Sequence, residues 1–280
     1  MMLTLMSAML IAAPPVQQAD TTVSVNPNAR LRIELMRGDI TIRTWNRSEM
    51  RVESDLENRE SFDISTSSAL VRLGVRGNYG MASADLHVTI PATMSVEMEG
   101  PFLDVDIRGS EGEVNVETVQ GDIRLEGGRR FVSLQSVQGD VDCSGASGRL
   151  SLGSVNGDVN LSNASGEMTL EAVNGEIRVS SVQSEAVKAT ALNGEISYSG
   201  TLRETGQYTF TTHNGDLDIA IPEGTNATVS VSTQMGEFEA DFPITLQDVA
   251  PRRRFNFVLG SGGARIQLET FGGTIHLRRP

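Results

Sequence analysis

Apolar and polar residues alternate along this chain with a period of two, and no window carries the 3.6-residue period of an amphipathic helix. Leu31, Ile33 and Leu35 point one way, and Arg30, Arg32 and Glu34 the other. After a turn at Arg37-Gly38-Asp39, Ile40 and Ile42 resume the pattern. Val71, Leu73 and Val75 repeat it, as do Leu86, Val88 and Ile90 ahead of Pro91. Such segments predict half-buried strands bounded by Gly, Asn and Pro. The charged, Ser-rich stretch from Asn46 to Ser68 has no pattern that assigns it.

From Pro101 a longer period is laid over the alternation. The chain reads VQGDI at 119–123, VQGDV at 137–141, VNGDV at 155–159 and VNGEI at 173–177, then LNGEI at 192–196, HNGDL at 213–217 and QMGEF at 234–238. Gly121, Gly139, Gly157 and Gly175 fall 18 residues apart; Gly194, Gly215 and Gly236 follow at spacings of 19 and 21. Each unit splits into two nines, so that GEVNV at 112–116 answers GDIRL at 121–125. Each half is a tight turn followed by a short strand. A fixed period near 20 marks a repeat architecture in which no unit buries its own apolar face but stacked units bury a continuous one.

The fold expected is therefore all-β, a parallel β-solenoid with coils of 18–21 residues rising ~4.8 Å each, and with irregular β caps at both ends. Stacking puts Ile123, Val141, Val159, Ile177, Ile196, Leu217 and Phe238 in one inward column. Leu125, Cys143, Leu161, Val179, Tyr198, Ile219 and Ala240 form the next. Val114, Val132, Leu150 and Met168, with Val116, Leu134, Leu152 and Leu170, line the opposite wall. Val119, Val137, Val155, Val173 and Leu192 are assigned to a fifth column. The corner glycines are expected to supply positive φ. Asn156, Asn174, Asn193 and Asn214, with Gln120 and Gln138 ahead of them, are expected to hydrogen-bond along the stack. After Phe242-Pro243 the array loosens, and RIQLETFGGTIHLR at 265–278 closes the chain with two strands. The organisation expected is an export segment over 1–19, an N-terminal β region and cap over 20–100, regular repeats over 101–243 and closing strands over 244–280.

Composition narrows the function classes. The 280 residues carry a net charge of −13, which argues against nucleic acid, whose backbone is neutralised by clustered Lys and Arg. The lone cysteine, Cys143, excludes an intramolecular disulfide and a Cys-based zinc site. The opening MMLTLMSAMLIAAPPVQQAD resembles the apolar core and cleavage region of a secretory signal, without its positively charged start. It is too short for a membrane-spanning helix, which needs ~20 apolar residues, so no transmembrane helix is expected.

The repeated V-[NQ]-G-[DE]-[IV] turns, the segment LHVTIPATMSVEM at 86–98 and the Gly-rich close GSGGARIQLETFGGTIHLR at 260–278 resemble the bacterial putative-adhesin family, a domain-of-unknown-function group. The resemblance covers roughly residues 29–279. It implies a β-solenoid in an exported or envelope-associated protein, and it brings no catalytic residues.

The residue after each corner glycine is acidic: Asp122, Asp140, Asp158, Glu176, Glu195, Asp216 and Glu237. Stacked ~5 Å apart in water, neighbours repel by ~0.8 kcal/mol before screening. These carboxylates either accept hydrogen bonds from turn amides or line a Ca²⁺-binding stripe. The first reading is favoured, because the glycine triplet of the calcium β-roll is missing. Acid–base pairs of glycosidase type are absent, since the acids are spread evenly over the coils. His87, His213 and His276 are isolated, and Cys143 lies in an inward column. Arg37-Gly38-Asp39 matches the recurring turn, and Arg252–Arg254 reads as a solvated loop. No catalytic residue, metal site or cofactor is assigned. The function expected is a non-enzymatic scaffold or adhesion-like module whose partner is a protein or glycan of the cell envelope. The alternatives are a carbohydrate-active β-helix enzyme and a calcium-stabilised surface repeat.

Overall fold

The structure, a computed structural model, describes residues 17–56, 61–76, 83–250 and 254–280. The expected export segment, apart from residues 17–19, lies outside the described residues, as do Arg252 and Arg253. Among the described residues, no helix is long and apolar enough to cross a membrane.

The chain is an all-β solenoid built from two walls of strands that run parallel from rung to rung. The regular rungs join Val114–Gln120 to Ile123–Gly127, Arg129–Gln138 to Val141–Ser144, and Ser147–Asn156 to Val159–Ser162. In the first wall, Val114, Val132, Leu150, Met168 and Val187 lie in register. In the second, Ile123, Val141, Val159, Ile177, Ile196 and Leu217 form one file. Inward residues of both walls belong to one continuous core. Period two puts every second side chain there, and each fully buried Val, Ile or Leu contributes ~1.5–3 kcal/mol.

Solenoid geometry reaches further toward the N-terminus than the legible repeat. Arg30–Glu34 and Arg37–Trp45 make a rung, as do Leu70–Arg76 with Leu86–Pro91 and the two halves of Ser95–Ser110. Their spatial order departs from chain order. The 30–45 rung lies between the 70–91 rung and the 95–110 rung, paired to both on both walls. The C-terminal end repeats this device. Ala264–Thr270 lies between Ile196–Asn214 and Ala227–Thr233, and Ile275–Arg278 lies between Leu217–Ala220 and Phe238–Ala240. This corrects two columns: Ile275 separates Leu217 from Phe238, and Leu277 separates Ile219 from Ala240. Local periodicity cannot reveal such a fold-back, because the inserted strand is distant in sequence.

Antiparallel strands close both ends. Ser61–Thr66 covers Leu70–Arg76, and Glu49–Leu56 with Gln17–Ser24 extends the second wall. At the other end Arg254–Leu259 and Leu246–Ala250 cover Ala227–Thr233, with Phe257 fully buried. These strands interrupt the parallel array and blunt its open edges.

The glycine corner obeys a different constraint from the one expected. Only Gly121 and Gly139 of the repeat glycines have positive φ, at 133° and 152°. What all of them share is closeness. A Cβ on Gly157 would lie 2.2 Å from the Gly139 carbonyl oxygen, and one on Gly175 would lie 2.0 Å from that of Gly157. The left-handed residues sit at the opposite corner, again 18 apart: Gly109, Gly127, Gly145, Asn163 and Ser181, with φ of 78°, 103°, 67°, 52° and 54°.

The opposite corner also absorbs the longer coils. The register shifts between Ser184 and Ala186, opposite a longer excursion from Leu202 to Gln207. The core widens there and is filled by Tyr198, Tyr208 and Phe210, with Tyr198 6.2 Å and 5.0 Å from the other two ring centres. The Tyr208 hydroxyl donates to the Ser184 carbonyl at 2.7 Å and accepts from the Arg203 amide at 2.8 Å, so the buried phenol is satisfied.

Candidate binding surface along the glycine corner

Three files of side chains run along the corner. The innermost is small and largely hydroxylated: Thr118, Ser136, Ser154, Ala172, Ala191, Thr212 and Thr270, all buried. Ser136, Ser154, Thr212 and Thr270 donate to the carbonyls of Gly121, Gly139, Gly194 and Gly215 at 2.8–3.1 Å. Each hydroxyl thus ties its own rung to the turn of the preceding rung in space.

The next file is amide. Gln120 donates to Gln138 at 2.9 Å, Asn174 to Asn156 and Asn193 to Asn174 at 2.9 Å each, and Asn214 to Asn193 at 3.0 Å. The ladder expected from the sequence forms, with a break between Gln138 and Asn156, where the Asn156 amide donates to the Val137 carbonyl at 3.5 Å.

The third file is the acidic one. Oδ1 of Asp122 accepts the Asp140 backbone N–H at 3.0 Å, that of Asp140 accepts Asp158 N–H at 2.8 Å, and that of Asp158 accepts Glu176 N–H at 2.9 Å. Oδ1 of Asp216 accepts from Thr274 at 2.7 Å, so Thr274 stands between Asp216 and Glu237 in this file. No such bond runs onward from Glu176 or Glu195, whose extra methylene misplaces the oxygen; Glu176 pairs with Arg178 instead. The free oxygens of Asp122 and Asp158 meet Arg124 at 3.2 Å and Arg178 at 2.9 Å. Among the described residues, no three His, Cys, Asp or Glu side chains converge as a metal-binding group. The file continues through Asp104, Asp39 and Asp85; the repeat motif misses Asp104 and Asp85 because Leu103 and Ala84 replace the glycine. Burial, then the neighbouring Asp85 and Asp104 charges, hold the Asp39 carboxyl above its ordinary range.

The fifth apolar column does not enter the core. Val119, Val137, Val155 and Leu192 are 49%, 40%, 37% and 47% exposed. Counting by two from Val114 explains this: Val116 and Thr118 face inward, so Val119 must face out. The same register position holds Met36, Pro101 and Val173, each preceding a member of the file that runs Arg37, Phe102, Gln120, Gln138, Asn156, Asn174 and Asn193. His213 continues it, its ring stacked on Phe271 at 4.8 Å. Met36, Pro101, Val119, Val137 and Val155 line an open groove of about 750 Å³ together with Glu34, Glu99 and Glu117. Those three glutamates stack in register and make no ion pair among the described residues.

Cys143 is buried between Leu125 and Leu161, and burial pushes its thiol up to about 12. His276 Nε2–H donates to the Asp241 carboxylate at 2.9 Å, and His87 is exposed. Arg37-Gly38-Asp39 lies in the stacked corner, with the Arg37 guanidinium 4.5 Å over the Phe102 ring. Arg254, the described member of the basic run, donates to Ser232 on the neighbouring strand.

With the rungs, corners and caps defined, residues 20–278 match the model of one family, Toastrack DUF4097. The chain belongs to the Toastrack DUF4097 family. Solved structures similar to this Toastrack chain include a putative adhesin from Parabacteroides distasonis, 10% identical over 93% of this chain and 97% of that one, with a TM-score of 0.48. A putative adhesin from Bacteroides fragilis is 12% identical over 94% and 98%, with a TM-score of 0.46. A putative cell adhesion protein from Clostridium sporogenes is 9% identical over 94% and 100%, with a TM-score of 0.23. No curated protein matches the chain.

Proposed function

We propose that this Toastrack protein is a non-enzymatic binding module or scaffold, exported to the cell envelope, which holds a protein or glycan against its stacked faces. The observation that carries the reading is the exposed apolar file Val119, Val137, Val155 and Leu192, held on hydrogen-bonded rungs. A single exposed valine is unremarkable, but a row of them in register is a contact surface. The polar chemistry along the same corner is occupied by structure: hydroxyls by glycine carbonyls, amides by one another, and Asp carboxylates by backbone amides. The thiol is buried and protonated.

Two measurements test this. Fractionation of the native host is expected to recover it with the envelope, and a panel of envelope glycans and proteins is expected to yield a saturable ligand without turnover. Hydrolysis of a glycan that one Asp→Asn change abolishes would overturn the non-enzymatic reading, and recovery from the cytosol with Met1 intact would overturn export.

A further inference from the structure

We infer that the apolar file is the seat of an amphipathic helix bordered by Lys and Arg, supplied by another protein. The inference rests on the binding-module reading and names its partner. Three features select this occupant. The first is repeat distance. Successive rungs rise ~4.8 Å, so apolar side chains recur at that interval along the stack. A helix presents one side chain per ~5.4 Å turn along a stripe, whereas a strand laid the same way presents one per ~6.6–6.8 Å. Across Val119, Val137, Val155 and Val173 the helix drifts by only ~2 Å, and by ~4 Å over all six rung steps, so its match is best at the central valines.

The second is length. From Met36 to Leu192 the file crosses six rung steps, ~29 Å, which a helix of ~19 residues spans. The third is charge. One flank of the file carries Glu34, Glu99 and Glu117 and, past Gln135 and Gly153, Glu171, none with a cationic partner among the described residues. Like charges stacked directly opposite are unfavourable until a cation lies between them. A second copy of this chain would bring the same acids to the same place, so self-association along this corner is opposed. A basic amphipathic helix satisfies the apolar centre and this acidic margin together, as in helix-in-groove recognition.

The test uses a 20-residue Leu/Lys peptide whose leucines fall on one helical stripe, and a control of the same composition with the leucines scattered. Fluorescence anisotropy at 0.15 M salt is expected to give the stripe peptide a Kd at least tenfold below that of the control. Val137→Ser with Val155→Ser is expected to weaken the stripe peptide at least tenfold; these side chains lie outside the core, and a melt checks that the fold persists. Glu99→Gln with Glu117→Gln is expected to weaken it several-fold and to flatten its salt dependence. Equal binding of both peptides, or binding unchanged by the valine pair, overturns the proposal. A dimer in sedimentation that the valine pair dissolves assigns the file to a second copy and also overturns it. An envelope glycan that binds wild type and the valine variant equally, with no peptide preference, removes the helix and leaves the binding module standing.

Discussion

A glycine repeated 18 residues apart invites an explanation from backbone freedom, and at Gly157 that explanation is wrong. The residue has no positive φ; its missing Cβ makes room for the Gly139 carbonyl oxygen 2.2 Å from where the Cβ would be. Gly157→Ala is therefore expected to cost at least ~1–3 kcal/mol by forcing two rungs apart. At the opposite corner the logic reverses. Ser181 holds a left-handed φ of 54°, in the column where Gly109, Gly127 and Gly145 precede it. Ser181→Gly is expected to stabilise the protein by up to ~1 kcal/mol. Urea melts of the two variants check both signs. Sequence alone showed where glycine recurs but could not separate torsion from close approach, since both leave the same letter. The outward valines were legible in principle: Val114, Val116 and Thr118 already fill the inward phase, and Val119 breaks it.

At the scale of the strand, the interior columns could be read correctly because both neighbours of a rung lie 18–21 residues away. Ile123, Val141, Val159 and Ile177 touch in the order in which they are written. Where the neighbour is remote, as for Ile275 beside Leu217, the sequence holds no periodic cue. The strand Ile275–Arg278 is held by side chains as well as by its ladder. Arg278 donates to Asp218, and His276 meets Asp241 at 2.9 Å. The Asp241 hydrogen bond, opposed in part by burial, raises the His276 imidazole above its ordinary value of 6.5. A folded-state value above the unfolded one gives stability that is complete below pH ~6.5 and lost as pH rises through the folded value. The gain is expected to stay under ~1 kcal/mol, because Asp241 is more than half solvated. Thermal melts between pH 5 and 9 check this: wild type should lose that increment with rising pH, and His276→Gln should not.

For the molecule as a whole, the rungs behave as a one-dimensional stack whose stability is the sum of neighbour contacts. In an ordinary stack, deleting the last strands removes only one rung. Here residues 264–278 lie inside the 227–240 rung, between it and the 207–220 rung. Removing residues 264–280 is expected to strip both, leaving Leu217 and Ile219 uncovered. Hydrogen exchange on the truncated protein should show lost protection across 227–259 as well as faster exchange at 217–220.

That folded-back order also decides how the molecule would yield under load. A chain drawn out by its final residues cannot peel from the outside, because the segment under tension is gripped on two sides along both walls. It must shear two ladders at once before anything unravels, whereas at the other end the first described strand, Gln17–Ser24, is paired on one side only, to Glu49–Leu56. For a protein proposed to hold a partner outside the cell, the fold-back anchors the closing strands against a pull on them.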